Sequence, residues 1–313
     1  MAEKEYSYIE DILDNGFEQC KIELTDDYEG RVESTLIRRL SHPETDKALL
    51  YIHGFNDYFF QAEMAFQYND HNCNFYALDL RKYGRSFLPH QKFNDIRNLK
   101  DYYEEITLAL DIIHSEGNKT VSLMGHSTGG LLITLFAKDN TGSKMFDGII
   151  LNSPFYEFNQ SRLAKKLIPV ASWLGKYFPT IKISGGFAKE YGEYLHKDFF
   201  GEWDYNLDWK PNIAPQVNLG WIRAIYQGQK ELKGKFTISH PCLILHSAHS
   251  TTDMSDPERI QSSDTILNIE DIKRIARNIQ GDVEIVPIDG GLHDLILSGK
   301  DVRKNVYDII WGW

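Results

Sequence analysis

Cysteine is scarce: three in 313 residues, Cys20, Cys73 and Cys242, odd in number and far apart. No disulfide framework is expected, and each lies in an apolar stretch where a buried free thiol is the usual state. No Cys-x-x-Cys pair occurs, and the one close histidine pair, His246 and His249, has no further ligand at finger-like spacing, so no structural metal is indicated. Long apolar runs are missing as well. The longest obvious one is the seven residues from Leu131 to Ala137, against the roughly 18 to 20 that a spanning helix needs. At the N-terminus Glu3, Glu5, Glu10 and Asp11 interrupt the apolar residues, so neither the basic start nor the apolar stretch of a secretion signal is present, which points to the cytoplasm. Positive charge is in deficit: 34 Lys and Arg against 45 Asp and Glu leave −11, a balance that repels phosphate backbones and argues against a nucleic-acid partner.

What is there is an ordinary globular composition, 42% hydrophobic and 25% charged, long enough to bury a sizeable core. Residues 19–25 and 31–39 read as an antiparallel hairpin across the turn-like stretch 26–30. The pattern then changes to short apolar runs without alternation, Ala48 to His53, Asn74 to Asp79, Val121 to Gly125 and Gly148 to Leu151, as in strands buried on both faces of a parallel sheet. Helical patterns alternate with them: 97–116, with Leu99, Tyr102, Ile106, Leu110 and Ile113 on one face, then 128–138, 269–279 and 302–311. The order is that of an α/β fold with a mostly parallel sheet.

Residues 154–235 break this rhythm. They hold several short helical patterns and no buried-type strand, and carry 12 Lys and Arg against 8 Asp and Glu, so they are basic where the rest is acidic. This stretch reads as a helical cap inserted into a core of residues 1–153 and 236–313. Within it, Arg162 to Lys176 has the make-up of a basic amphipathic helix, suited either to packing on the core or to peripheral contact with a membrane surface.

Gly125-His126-Ser127-Thr128-Gly129 is a G-x-S-x-G pattern flanked by a strand-like run and a helix-like run. That setting presents a serine hydroxyl on a sharp turn, with Ser127 as the nucleophile and His126 turned away from it. An attacking serine needs donors for the oxyanion that forms. Thr128 N–H supplies one and Phe55, just after His53-Gly54 in the turn that follows an apolar strand, the other, although an ordinary strand-to-helix turn would fit the same residues. The base must come late in the chain. Among the histidines late in the chain, His293 sits on a loop after the run 283–288, while His246 ends the preceding strand and His249 lies just beyond it. Asp253, Asp256 and Asp264 all fall where the acid that orients this histidine should lie.

Four stretches, His53-Gly54, Asp79 to Ser86, Gly125 to Gly129 and Gly291 to His293, come in the order of the α/β-hydrolase fold. With them the chain resembles the capped serine hydrolases of the monoacylglycerol lipase and lysophospholipase-like group, which is also described as serine aminopeptidase-like. The resemblance implies an eight-stranded, mostly parallel sheet, helices on both faces, no cofactor, and a small-molecule ester substrate with an apolar portion. It also implies that Asp264, just before a short apolar pair and a helix, is the acid; the unusually long link of residues 248–263 keeps Asp253 and Asp256 open. Lys82 stands where the family has a glycine. His53, Phe155, Trp203 and Trp221 are the expected pocket residues. Thioester cleavage uses the same machinery. A proline-releasing peptidase would need cap carboxylates, for which Glu190, Glu193, Glu202 and Asp204 are available, and a hydrolase-fold binding protein would keep the pocket without turnover.

Overall fold

The computed structural model describes residues 6–183 and 188–313, so the acidic start at Glu3 and Glu5 lies outside the described residues. Nine strands among the described residues make one sheet: β1 (Ile9–Glu10), β2 (Glu18–Glu23), β3 (Glu33–Arg39), β4 (Lys47–Ile52), β5 (Asn74–Asp79), β6 (Thr120–His126), β7 (Gly148–Asn152), β8 (Cys242–Ser247) and β9 (Val283–Ile288). Their spatial order is β1-β2-β3-β5-β4-β6-β7-β8-β9. The pairs from β1 through β3 to β5 are antiparallel and all the others parallel. Eight strands are those read from the sequence. The ninth, β1, is two exposed residues at the antiparallel edge, too short to leave a hydrophobic period.

The central parallel strands β4 to β8 are buried almost end to end because both faces are covered, whereas the edge strand β9 exposes Glu284 and Pro287. In β4, Ala48, Leu50 and Ile52 enter one core cluster while Leu49 and Tyr51 enter the other; β5 divides Tyr76 and Leu78 from Phe75 and Ala77 in the same way. Nine helices are described: α1 (Ala62–Asp70), α2 (Tyr103–Ser115), α3 (Thr128–Asp139), α4 (Arg162–Tyr177), α5 (Lys189–Glu193), α6 (Leu219–Glu231), α7 (Pro257–Ile260), α8 (Ile269–Ala276) and α9 (Lys300–Gly312). Residues of α2, α3 and α8 fill the first cluster and residues of α1 and α9 the second, giving helix, sheet and helix layers. None of the described helices is long and apolar enough to cross a membrane.

Between β7 and β8 the chain leaves the sheet. Ser161 caps α4 and Asn218 caps α6, each accepting a backbone N–H of its own first turn. α4 lies along α6 and buries Ser172 and Gly175. Contrary to the sequence reading, the segment does hold a buried strand: Val217–Asn218 pairs antiparallel with Lys182–Ile183. Two residues give no alternation to read. The parallel register aligns the carboxyl ends of the strands, with Ile52 beside Gly125 and His126 beside Asn152, so the loops that follow β4, β6, β7, β8 and β9 meet at one end of the sheet.

Candidate active site

β6 ends at His126 and α3 begins at Thr128, so Ser127 makes the turn alone, at φ 52° and ψ −111°. Backbone bonds hold this strained residue: its N–H donates to the Asn152 carbonyl at 3.0 Å, and its own carbonyl accepts from Leu131 at 3.0 Å and Phe155 at 2.9 Å. The turn needs its glycines for closeness. A Cβ on Gly125 would meet the Gly129 carbonyl oxygen at 2.5 Å, and one on Gly129 the Ile52 carbonyl oxygen at 2.4 Å.

Ser127 Oγ lies 3.0 Å from His293 Nε2, and His293 Nδ1 lies 2.9 Å from Asp264 Oδ2. The other carboxylate oxygen of Asp264 accepts the N–H groups of Ile266 and Leu267, each at 2.8 Å, and the side chain is fully buried. Asp264 is thus fixed, with one oxygen turned to the imidazole. With Nδ1–H donated to it, Nε2 is the nitrogen that can take a proton from the serine. Asn152, at the end of β7, ties down the histidine loop: its amide N–H donates to Asp294 Oδ1 at 2.7 Å and its side-chain oxygen accepts from Leu295 N–H at 3.2 Å.

The other sequence candidates lie elsewhere. Asp253 is on an exposed turn that bonds Ser255, and Asp256 caps α7. His246 is buried and bonds the Ser247 carbonyl, and His249 is exposed beside Asp289. Of the two expected oxyanion donors, Thr128 N–H opens α3, where no intrahelical acceptor exists. Phe55 N–H donates to the Thr128 hydroxyl at 3.0 Å.

Two cavities meet beside Ser127, sharing Phe55, Ala188 and Ile266 in their walls. The larger, about 500 Å³, is apolar and runs between α4, α6 and the 252–254 loop; Phe155, Phe158, Leu167, Ile168, Trp221 and Ile222 line it. The smaller, of about 40 Å³, contains Ser127 and His293 and has the polar side chains of Asn56, Asp57, Lys210 and Asn212 in its wall. Phe155 and Trp221 therefore face the apolar cavity, whereas two expected pocket residues do not face either one. His53 is buried as a brace, its Nδ1 bonded to the Gly54 carbonyl and its Nε2 accepting from Leu80 N–H. Trp203 packs against Arg303 and donates to the Leu297 carbonyl. Both residue types suit a pocket, but these two are consumed by loop and cap packing.

The sequence did not mark the polar compartment's charges. Lys210, from the inserted segment, places its ammonium 3.0 Å from Asp57 Oδ1. Asp57 Oδ2 and Asn56 Oδ1 are buried without a hydrogen-bond partner among the described residues. Neither Asp57 nor Lys210 belongs to a local pattern; the pair joins positions 153 residues apart. Asp57, His126 and Asp294 come within metal-binding distance of one another. However, the Lys210 ammonium already supplies positive charge at Asp57, and Asp294 Oδ1 accepts from Asn152 and Ile296. The donor set does not suit a cation. His126 lines the same compartment with its ring centroid 4.8 Å from that of His293, and burial pushes its pKa down to about 4.

A family model described as serine aminopeptidase, S33 matches residues 43–299. The chain belongs to that family. Among curated proteins no sequence match was found. The fold is similar to that of a soluble variant of monoglyceride lipase from Saccharomyces cerevisiae in complex with a substrate analog, at 16% identity over 93% of each chain and a TM-score of 0.67. It is also similar to monoacylglycerol lipase from Paleococcus ferrophilus, at 13% identity over 94% of this chain and 96% of that one, with a TM-score of 0.62. Est1E from Butyrivibrio proteoclasticus with bound ferulic acid matches at 15% identity over 93% and 98%, with a TM-score of 0.57. These likenesses establish the α/β-hydrolase fold.

Proposed function

We propose that this protein is a serine hydrolase that cleaves carboxylic esters with an apolar acyl group, with residues 154–235 acting as a cap over the site. The observation that carries the reading is the continuous chain of hydrogen bonds from Ser127 through His293 to Asp264, in a small compartment that shares its wall with an apolar cavity of about 500 Å³. Ser127 Oγ attacks the ester carbonyl as His293 Nε2 takes its proton; Asp264 stabilises the imidazolium; and the alcohol leaves with the proton returned by His293. Water, activated by the same histidine, then releases the acid. The apolar cavity would take the acyl chain and the polar compartment the alcohol, and no step calls for a cofactor. A thioester would follow the same path.

The peptidase alternative is less well supported. None of the four cap carboxylates considered for a substrate's amino group lines either cavity, and three of them pair with cations: Glu193 with Lys189, Glu202 with Arg303 and Asp204 with Lys197.

Peripheral membrane contact through the cap belongs to this proposal. α4 exposes Leu163, Leu167, Val170, Trp173 and Tyr177, interleaved with exposed Arg162, Lys166 and Lys176. Leu167 is also part of the cavity wall, so a lipid surface met by this face would lie beside the acyl site.

The test is reaction of the purified protein with a fluorophosphonate probe, read by intact mass, beside Ser127→Ala, followed by hydrolysis of p-nitrophenyl esters from acetate to palmitate. One adduct in the native protein, none in the variant, and a preference for medium or long acyl chains are expected. A folded native protein that takes no label would overturn the reading and favour a binding protein.

A further inference from the structure

We infer that the Thr128 side chain, besides its backbone N–H, serves the oxyanion: its hydroxyl accepts from Phe55 N–H and donates its own hydrogen bond to the negative oxygen, in place of the Phe55 N–H that it engages. The inference rests on the proposed serine-hydrolase reading and goes beyond it by assigning a side chain to a role that the backbone alone was expected to fill.

The observation is the 3.0 Å bond from Phe55 N–H to Thr128 Oγ1, which crosses the site from the loop after β4 to the first residue of α3. The two residues expected to cradle the oxyanion are therefore already joined to each other. A backbone N–H with no acceptor is costly, and the hydroxyl satisfies that of Phe55 before substrate arrives. Thr128 Oγ1 has one proton to give, and among the described residues it donates to no protein acceptor. A hydroxyl that accepts from an amide is polarised along the chain, which strengthens the bond it donates. Its oxygen and its own backbone N–H belong to one residue whose side chain is almost buried, so both donors are held before charge develops, as transition-state stabilisation requires. No covalent bond is made or broken at Thr128. It donates one hydrogen bond as the carbonyl oxygen becomes negative and withdraws it when the carbonyl re-forms.

The residue's chemistry separates this role from two others. A hydroxyl that merely plugged the site would have to be pushed off Phe55 by the substrate, and removing it would raise activity. A hydroxyl that merely held the turn would act on stability and not on the chemical step.

The test compares Thr128→Val, which keeps the shape and loses the hydroxyl, with Thr128→Ser, which keeps the hydroxyl. The readouts are kcat and KM on p-nitrophenyl butyrate, the rate of fluorophosphonate labelling, and the thermal midpoint. Thr128→Val is expected to lose about tenfold to a hundredfold in kcat with KM little changed, and Thr128→Ser to stay within a few-fold of the native rate. Unchanged or increased kcat in Thr128→Val would overturn the inference and identify a plug. Equal losses in both variants that track a lowered thermal midpoint would overturn it in favour of packing. Native protein that takes no label at Ser127 would remove the serine-hydrolase reading itself, whereas labelled native protein with an indifferent Thr128→Val removes only this one.

Discussion

His126 shows what a single buried side chain costs and where the cost is felt. It sits beside the proposed nucleophile, 4% exposed, and burial lowers its pKa from 6.5 to about 4; Asp294 and Asp57 pull the other way, while His293 and Lys210 push it further down. In the unfolded chain the same imidazole titrates near 6.5. Between these two values the unfolded state takes up a proton that the native state refuses, so stability falls as the pH drops from 6.5 towards 4 and the whole contribution is present above 6.5. The loss at the acid end is at most about 3 kcal/mol. The urea midpoint of the native protein should therefore fall more steeply across this window than that of His126→Gln, measured by tryptophan fluorescence at intervals of half a pH unit. Parallel slopes would mean that His126 is protonated inside the fold and that its burial is compensated.

The elements of the core were legible because each carried its burial locally. Asn74–Asp79 and Val283–Ile288 match the sequence reading to the residue: the first is buried end to end and announces itself by its apolar run, and the second, at the sheet edge, keeps Val283, Ile285, Val286 and Ile288 around exposed Glu284 and Pro287. α1 was missed for the opposite reason: it buries only Met64, Ala65, Tyr68 and Asn69, its cap Gln61 makes no side-chain cap bond, and its apolar face is narrow. The helix read over 97–116 opens as a short 3-10 turn, Leu99–Tyr102, before it becomes α2. Ser127 was marked by its neighbours and His293 by chain order, but Asp264 required the family resemblance because three aspartates share its region. The helix α4 was read as packing on the core or as meeting a membrane surface; the structure packs one side of it on α6, within residues 154–235, and leaves the other exposed. Ser172 and Gly175 lie against α6, while Leu163, at 72% exposed, and Val170, at 53%, face out. Leu163→Asp with Val170→Asp should reduce co-sedimentation with vesicles of mixed neutral and anionic lipid by several-fold and leave hydrolysis of a soluble short-chain ester unchanged, because neither residue lines the cavity. Equal sedimentation of variant and native protein would leave α4 as a packing helix alone.

At the scale of the whole molecule, the proposed cap is basic where the rest of the chain is acidic, and three of its polar contacts with the rest converge on one loop beside Ser127. Asn56 donates to the Pro211 carbonyl at 2.8 Å, Tyr58 OH accepts from Asn206 N–H at 2.7 Å, and Lys210 pairs with Asp57 at 3.0 Å. All three reach the loop that carries Phe55. The proposed cap therefore steadies the 55–58 loop as well as lining the cavity, and no local pattern in the sequence could reveal it, since each contact spans about 150 residues. Asp57 and Lys210 are both nearly buried, so removing one partner strands the other's charge away from water. Lys210→Met should cost about 3 to 5 kcal/mol and lower the thermal midpoint, and it should also depress ester hydrolysis through movement of the 55–58 loop. Adding Asp57→Asn to Lys210→Met removes the stranded carboxylate and should restore most of the stability. Activity is expected to return less completely, because the cap's grip on the loop is still loosened. A Lys210→Met protein that melts with the native one would show that the ion pair does not hold the 55–58 loop to residues 154–235.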